Sequence, residues 1–238
     1  MTARTLIIIP AYNEEGVIGR VLESIQQAAP GVPILVIDDG SSDRTAEDAR
    51  EGGARVVSHP HNLNYGCALR TGYRFALAHD FARVIQVDAD GQHDAESLRT
   101  IQDALDQGFD LVLGSRFLDE RSYRPPLTRR LGIALFGLAA SWAVGRHITD
   151  ATTGLQGLSR RLIRFYDSRD SFPHDYPDAN MIIRSARAGF RITEVPARMH
   201  VAERGGGMHA GLKPLRYILK MCLAISVEFS RRLPKDER

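Results

Sequence analysis

Five short strand-like runs, at residues 5–9, 33–37, 54–58, 84–87 and 110–114, recur through the first half of the chain with helix-like stretches between them. Runs of four or five residues rich in Val, Ile and Leu, bounded by polar or Gly/Pro positions, read as buried strands. Between them Val17, Ile18, Val21, Leu22 and Ile25 repeat at helical spacing, as do Leu98, Ile101 and Leu105, and residues 45–51 and 65–79 also read as helices. This alternation predicts an α/β fold with a mostly parallel, Rossmann-like sheet and helices on both faces. Pro10 has no N–H to give a ladder and is expected to end the first strand. Asn13 is expected to cap the next helix, with Glu14 and Glu15 in its first turn, where the helix dipole favours negative charge.

Acidic residues gather where strands end. Asp38 and Asp39 follow the second run, and Asp88 and Asp90 follow the fourth, just before Gly91. Ligands of open α/β sheets bind outside the carboxyl ends of the strands. Two carboxylates two residues apart can share one hard divalent cation, Mg²⁺ or Mn²⁺, and leave positions for phosphate oxygens. A pair of solvated turn residues is the alternative for a bare Asp-x-Asp. Residues 10–15, after the first strand, contain no glycine. That excludes a dinucleotide fingerprint or phosphate loop, in which glycine lets backbone amides approach phosphate. Dehydrogenases and P-loop nucleotidases are therefore set aside. A nucleotide held by acids at strand ends remains, its diphosphate bound through a cation. Such a site suits cleavage of an anomeric C–O bond with a nucleoside diphosphate leaving.

With 238 residues, 43% hydrophobic and 25% charged, the chain has room for one large domain or two small ones. We expect one domain over 1–210, including an apolar helix at 127–146, then a C-terminal amphipathic helix and basic tail at 211–238. The net charge of +2 gives no reason to expect a nucleic-acid partner, although the basic charge after residue 115 suits phosphate or an anionic membrane surface. Cys67 and Cys222 have neither metal-ligand spacing nor a disulfide framework, and no basic leader follows Met1, so a cytoplasmic location is expected. Residues 131–145 carry no charge over fifteen positions, flanked by Arg129, Arg130 and Arg146; residues 217–229 are apolar except for Lys220 and Glu228. Both stretches are too short to span a bilayer. Each reads as a helix in a membrane interface, or as one packed on the sheet or a second subunit.

Five segments then occur in order: Ile8-Ile9-Pro10-Ala11-Tyr12-Asn13-Glu14-Glu15, Val36-Ile37-Asp38-Asp39-Gly40-Ser41-Ser42-Asp43, Asn62-Leu63-Asn64-Tyr65-Gly66, Asp88-Ala89-Asp90-Gly91-Gln92-His93 and Gly114-Ser115-Arg116-Phe117. Together they resemble family 2 glycosyltransferases of the GT-A fold, and within that family the dolichyl- and polyprenyl-phosphate mannosyl- and glucosyltransferases, over most of residues 4–200. The resemblance implies that Pro10, Tyr12, Glu14 and Asp39 line the nucleobase and ribose pocket, with Asp38 supporting them. It implies that Asp88 and Asp90 carry the metal and diphosphate, Asp90 catalytically, with Gln92 beside them. It also implies inversion at the anomeric carbon. Arg116, with one or both of Arg129 and Arg130, matches arginines that hold an acceptor phosphate, a role that a guanidinium fork suits.

An ionised phosphate acceptor needs no general base, whereas a hydroxyl does. Asp178 falls where related transferases carry an acid near the acceptor. It is either such a base or an N-cap before residues 181–188. Asp150-Ala151-Thr152-Thr153-Gly154-Leu155 resembles the family's Asp-x-Thr-Ser-Gly-Phe segment, with Thr153 for Ser and Leu155 for Phe. Gly205-Gly206-Gly207 reads as a loop closing over the donor, and His209 within it either reaches the metal or is solvated. The expected reaction is hexose transfer from a GDP- or UDP-linked donor to polyprenyl phosphate. It is placed at the cytoplasmic membrane face, reached through the apolar helices or a small membrane-protein partner; a homo-oligomer is compatible. The alternatives are a hydroxyl acceptor with Asp178 as base, and a non-catalytic nucleotide-sugar-binding subunit, which intact Asp88 and Asp90 disfavour.

Overall fold

The computed structural model describes residues 4–92, 94–122, 127–168, 172–200 and 213–231. In chain order its elements are β1 (Thr5–Ala11), α1 (Ile18–Ala28), β2 (Ile34–Asp38), α2 (Thr45–Glu51), β3 (Arg55–Ser58), α3 (Tyr65–Ala78), β4 (Arg83–Gln86), α4 (Ser97–Asp106) and β5 (Leu111–Ser115). Then come α5 (Leu127–Val144), β6 (Gln156–Ser159), α6 (Arg160–Asp167), α7 (Ala179–Arg187), β7 (Ile192–Pro196) and α8 (Lys213–Ser230). The strands form one sheet in the order β3-β2-β1-β4-β6-β5-β7. β6 runs antiparallel to both β4 and β5, and the other neighbours are parallel.

Side chains alternate across each strand and so feed two cores. Leu6, Ile8, Leu35 and Ile37 pack with residues of α3, α6 and α7, while Ile7, Ile9 and Val36 pack with residues of α1 and α4. The strands are buried on both faces, which is why they read as continuous apolar runs.

Two local expectations are corrected. β1 does not stop at Pro10; it continues to Ala11, opposite Asp38 of β2. The carbonyl of Ile8 accepts from the N–H of Val87 on the β4 side, and that of Ala11 accepts from Asp39 on the β2 side. Even-numbered backbone groups thus face β4, whose last residue, Gln86, pairs with Ile8. Pro10 lies past that end, where no ladder donor is needed. Asn13 does not cap α1, whose N-cap is Val17 and whose first turn holds no acid. It has φ 57° instead, and its side chain reaches across to the loop after β2.

The sequence reading did not identify β6, α6 or β7. Gln156-Gly157-Leu158-Ser159 is no apolar run, and β6 is buried because its neighbours cover it. A Cβ at Gly157 would lie 2.5 Å from Cγ2 of Ile101, so α4 seats directly on this strand. At the start of α3, a Cβ on Gly66 would lie 1.9 Å from the carbonyl oxygen of Pro173, and the Gly66 N–H donates to the His174 carbonyl at 2.8 Å. This close approach holds the first turn of α3 against the segment that leads into α7.

α8 is fastened to α7 by a buried ion pair in which Arg184 Nε donates to Glu228 Oε2 at 2.9 Å. Leaving either partner alone costs about 3–5 kcal/mol. α5 lies alongside α8: Phe136 meets Tyr217 edge-on at 5.8 Å, and Trp142 meets Phe229 at 4.9 Å. Their outer faces stay apolar. Leu138 and Trp142 of α5 are 70% and 76% exposed, and Leu219 and Leu223 of α8 are 62% and 61% exposed. No helix among the described residues is long and apolar enough to cross a membrane.

Candidate active site

Because β1, β2 and β4 are parallel neighbours, the loops at their carboxyl ends open on the same side of the sheet. The loop after β1 is zipped to the loop after β2: Asn13 N–H donates to Ser41 Oγ (3.0 Å), Ser42 N–H donates to Asn13 Oδ1 (2.9 Å), and Glu14 N–H donates to Thr45 Oγ1 (2.7 Å). Buried Asp38 accepts from Ser41 N–H at 3.0 Å. Asp39, also buried, accepts from Leu63 N–H at 2.9 Å and sits 2.7 Å from His59 Nδ1, both contacts falling on Oδ1. Gly40 makes the turn possible, since at φ +73° its missing Cβ would meet the His61 backbone at 2.5 Å. Buried Pro10, half-exposed Tyr12 and Glu14 therefore stand with Asp38 and Asp39 around one end of the sheet.

Asp88 follows β4 next to this corner. Its Oδ1 accepts from the Tyr65 hydroxyl at 2.8 Å, and Gly154 passes so close that a Cβ there would lie 1.7 Å from Oδ2. Burial and the neighbouring Asp88 charge hold the Tyr65 phenol well above its ordinary range, so it stays a proton donor. Asp90 accepts from Gln92 N–H at 3.0 Å. The Gln92 carbonyl in turn accepts from His200 N–H at 2.7 Å, and Asp94 N–H donates to Arg198 O at 3.1 Å. The segment after β7 thus braces the acidic turn. A cleft of about 240 Å³ opens beside Asp88, lined by apolar Val17, Val21, Leu98 and Leu155 and by polar Arg20 and His200.

Across from the acidic turn, Arg116 is 3% exposed and paired with Asp150, Nε to Oδ2 at 2.5 Å and Nη2 to Oδ1 at 3.3 Å. Asp150 is held by Glu194 of β7, whose Oε1 accepts the Asp150 N–H at 2.8 Å while Oε2 accepts the Thr149 N–H at 2.8 Å. Burial raises the Glu194 carboxyl, and these N–H groups oppose the rise. Two of the three guanidinium nitrogens of Arg116 are thus committed to a buried carboxylate. Arg130, at the start of α5, is exposed; the side chain of Arg129, the Gly205-Gly206-Gly207 segment and His209 lie outside the described residues.

Asp178 occupies the N-cap position of α7, but its side chain does not cap. Instead Oδ2 accepts from the Tyr217 hydroxyl of α8 at 2.8 Å. Burial lifts its carboxyl from 3.8 to about 6, with the charges of Asp88 and Asp150 adding to the rise and the Tyr217 hydrogen bond opposing it. Asp178 therefore lies within electrostatic reach of both Asp88 and Asp150.

The model of glycosyl transferase family 2 matches residues 6–166. The chain is a family 2 glycosyltransferase. A dolichyl-phosphate hexose transferase of Haloferax volcanii is 33% identical to it over 220 residues, covering 91% of this chain and 93% of that protein. A polyprenol monophosphomannose synthase of Mycolicibacterium smegmatis is 31% identical over 219 residues, covering 88% and 82%. Among solved structures, glucosyl-3-phosphoglycerate synthase of Mycobacterium tuberculosis, in complex with Mn²⁺, uridine diphosphate and glucosyl-3-phosphoglycerate, superposes with a TM-score of 0.70 at 21% identity, over 94% of this chain and 79% of that one. The fold of this glycosyltransferase is GT-A.

The donor set of the acidic turn fits a hard divalent cation. Asp88 and Asp90 are oxygen donors, and no group of three or more His, Cys, Asp or Glu side chains suited to a metal occurs among the described residues. Two carboxylates with the rest of the shell left to water and phosphate is the usual arrangement for Mg²⁺. The sequence reading missed Tyr65, Gln86, Glu194 and Tyr217 as parts of this transferase's site. Gln86 carried a signal as a polar residue inside an apolar strand, and Tyr65 as a member of the third ordered segment.

Proposed function

We propose that this glycosyltransferase moves a hexose, with inversion and divalent-metal dependence, from a UDP- or GDP-linked donor to polyprenyl phosphate at the cytoplasmic face of a membrane. The observation that carries the reading is the link between the site and the apolar face: Tyr217, on α8 with its exposed Leu219 and Leu223, hydrogen-bonds Asp178, which feels the charge of Asp88. A lipid acceptor needs its headgroup at the site and its chain against an apolar surface. The relatives named for dolichyl and polyprenol phosphates support the same acceptor class.

In this reading Pro10, Tyr12, Glu14 and Asp39 hold the base and ribose, and Asp38 fixes the turn that presents Asp39. Asp88 and Asp90 hold the cation with Gln92 beside them. That cation, when bound, offsets the negative charge that develops on the departing diphosphate. Arg130 meets the acceptor phosphate from the α5 side; Arg116, braced by Asp150, offers its remaining nitrogen from below. An acceptor phosphate oxygen forms the new bond to the anomeric carbon as the bond to the diphosphate breaks, and no proton has to be removed from the acceptor.

A second reading, a hydroxyl acceptor, is favoured by the raised carboxyl of Asp178, which suits a general base. The test supplies purified protein with radiolabelled UDP- and GDP-sugars, Mn²⁺ and polyprenyl phosphate. Label should enter an organic-extractable lipid, and Asp90→Ala should abolish both transfer and Mn²⁺-dependent thermal stabilisation by the nucleoside diphosphate. Label that reaches only a water-soluble hydroxyl acceptor would overturn the lipid-phosphate reading.

A further inference from the structure

Behind Asp88 runs a chain of side chains whose hydrogen bonds can point only one way. Gln86, 2% exposed, lies in β4 between β1 and β6. Its side-chain amide faces the Gly154 carbonyl at 3.2 Å. A carbonyl oxygen only accepts, so the atom facing it is Nε2, and Oε1 is left to accept from the Tyr73 hydroxyl at 2.9 Å. Nε2 gives its second proton to the Tyr65 oxygen at 2.9 Å. With that oxygen accepting from Gln86, the Tyr65 proton is directed to Asp88 Oδ1, 2.8 Å away. Gly154 leaves room for the other carboxylate oxygen, since a Cβ at that position would collide with Oδ2.

We propose that Tyr65, oriented by Gln86 and Tyr73, is the positioning residue that presents the Asp88 carboxylate to the divalent cation. The proposal rests on the reading of Asp88 and Asp90 as cation ligands. A neutral hydroxyl is suited to this role because it fixes the carboxylate's rotation while leaving its full negative charge to the cation, whereas an arginine or lysine there would compete with the metal. Partners of this kind behind a ligating carboxylate typically change metal affinity severalfold to a hundredfold.

The test measures Mn²⁺ binding to the full chain with uridine diphosphate present, by electron paramagnetic resonance of the unbound ion. Tyr65→Phe should raise the Mn²⁺ dissociation constant about 10–100-fold. The Mn²⁺ concentration for half-maximal transfer should rise in parallel, with kcat restored at saturating Mn²⁺. Gln86→Met, which keeps the volume and removes the orienting amide, should lose affinity in the same direction even where Tyr65→Phe fails to fold. Tyr166→Phe is the structural control: Tyr166 is another buried tyrosine, bonded at 2.8 Å to Ser185 Oγ, and its loss should leave the Mn²⁺ constant unchanged. Wild-type Mn²⁺ binding matched within twofold by Tyr65→Phe overturns the positioning role alone. A wild-type chain that binds no Mn²⁺ overturns the cation site, and this proposal with it.

Discussion

At the scale of single residues, Asp178 separates the two acceptor readings. Its carboxyl is raised in the folded chain, so its protonated form favours folding: that contribution is full below pH 3.8 and is lost as pH rises through about 6. Asp178→Asn should therefore stabilise the metal-free protein relative to wild type at pH 7.5 by on the order of 1–3 kcal/mol, with the gain vanishing towards pH 4. Denaturant titrations of both proteins across that range check it. With a phosphate acceptor the variant should also keep a substantial fraction of its transfer rate; a dead variant would favour the hydroxyl acceptor. Arg116 and Arg130 should behave differently from each other. Arg116→Ala strands Asp150 in the interior and should lower stability by about 3–5 kcal/mol, visible as a fall in Tm. Arg130→Ala should leave Tm unchanged and raise KM for the lipid phosphate about tenfold. The acids at strand ends were legible in the chain because charge stands out after an apolar run. Their partners were not: Tyr65 lies 23 residues from Asp88 and Tyr217 lies 39 from Asp178, and no local pattern announces a contact of that range.

At the scale of elements, the proposed function makes acceptor access depend on helices α5 and α8. Residues 135, 138 and 142 of α5, and 219, 223 and 227 of α8, repeat at helical spacing and are all large, apolar and exposed. In the proposed function these two stripes, with Arg130 at one end of α5, are the surface that meets lipid. Leu138→Asp combined with Leu223→Asp should weaken co-sedimentation with anionic vesicles by at least about tenfold, from the lost burial of two leucines. Transfer to a short, water-soluble polyprenyl phosphate should persist. Both helices were visible from their uncharged or nearly uncharged runs, as were β1, β2, β4 and β5 from their apolar content. β6 and β7 were not visible, because Gln156-Gly157-Leu158-Ser159 and Ile192-Thr193-Glu194-Val195-Pro196 owe their strand conformation to neighbours that arrive from elsewhere in the chain. Pro10 misled for a related reason: whether a ladder needs its N–H depends on where β4 ends.

For the whole molecule, the antiparallel β6 closes the sheet between β4 and β5, and it brings Gly154 against Asp88. All the acids of the donor side are present once Asp90 has followed β4, but Gly154 lies 68 residues beyond Gln86. On a ribosome adding about 5–20 residues per second, β4 would wait roughly 3–14 s before its second neighbour emerges. Until then its open side is a row of unpaired donors and acceptors, ready to pair with another nascent chain. A fragment ending at residue 150 should therefore aggregate and bind no Mn²⁺ despite carrying both Asp88 and Asp90, whereas the full chain should stay dispersed and bind the ion; size-exclusion chromatography with a Mn²⁺ titration distinguishes them. The reversed strand thus makes the order of synthesis matter, since the donor acids are backed by a segment that the ribosome releases well after them.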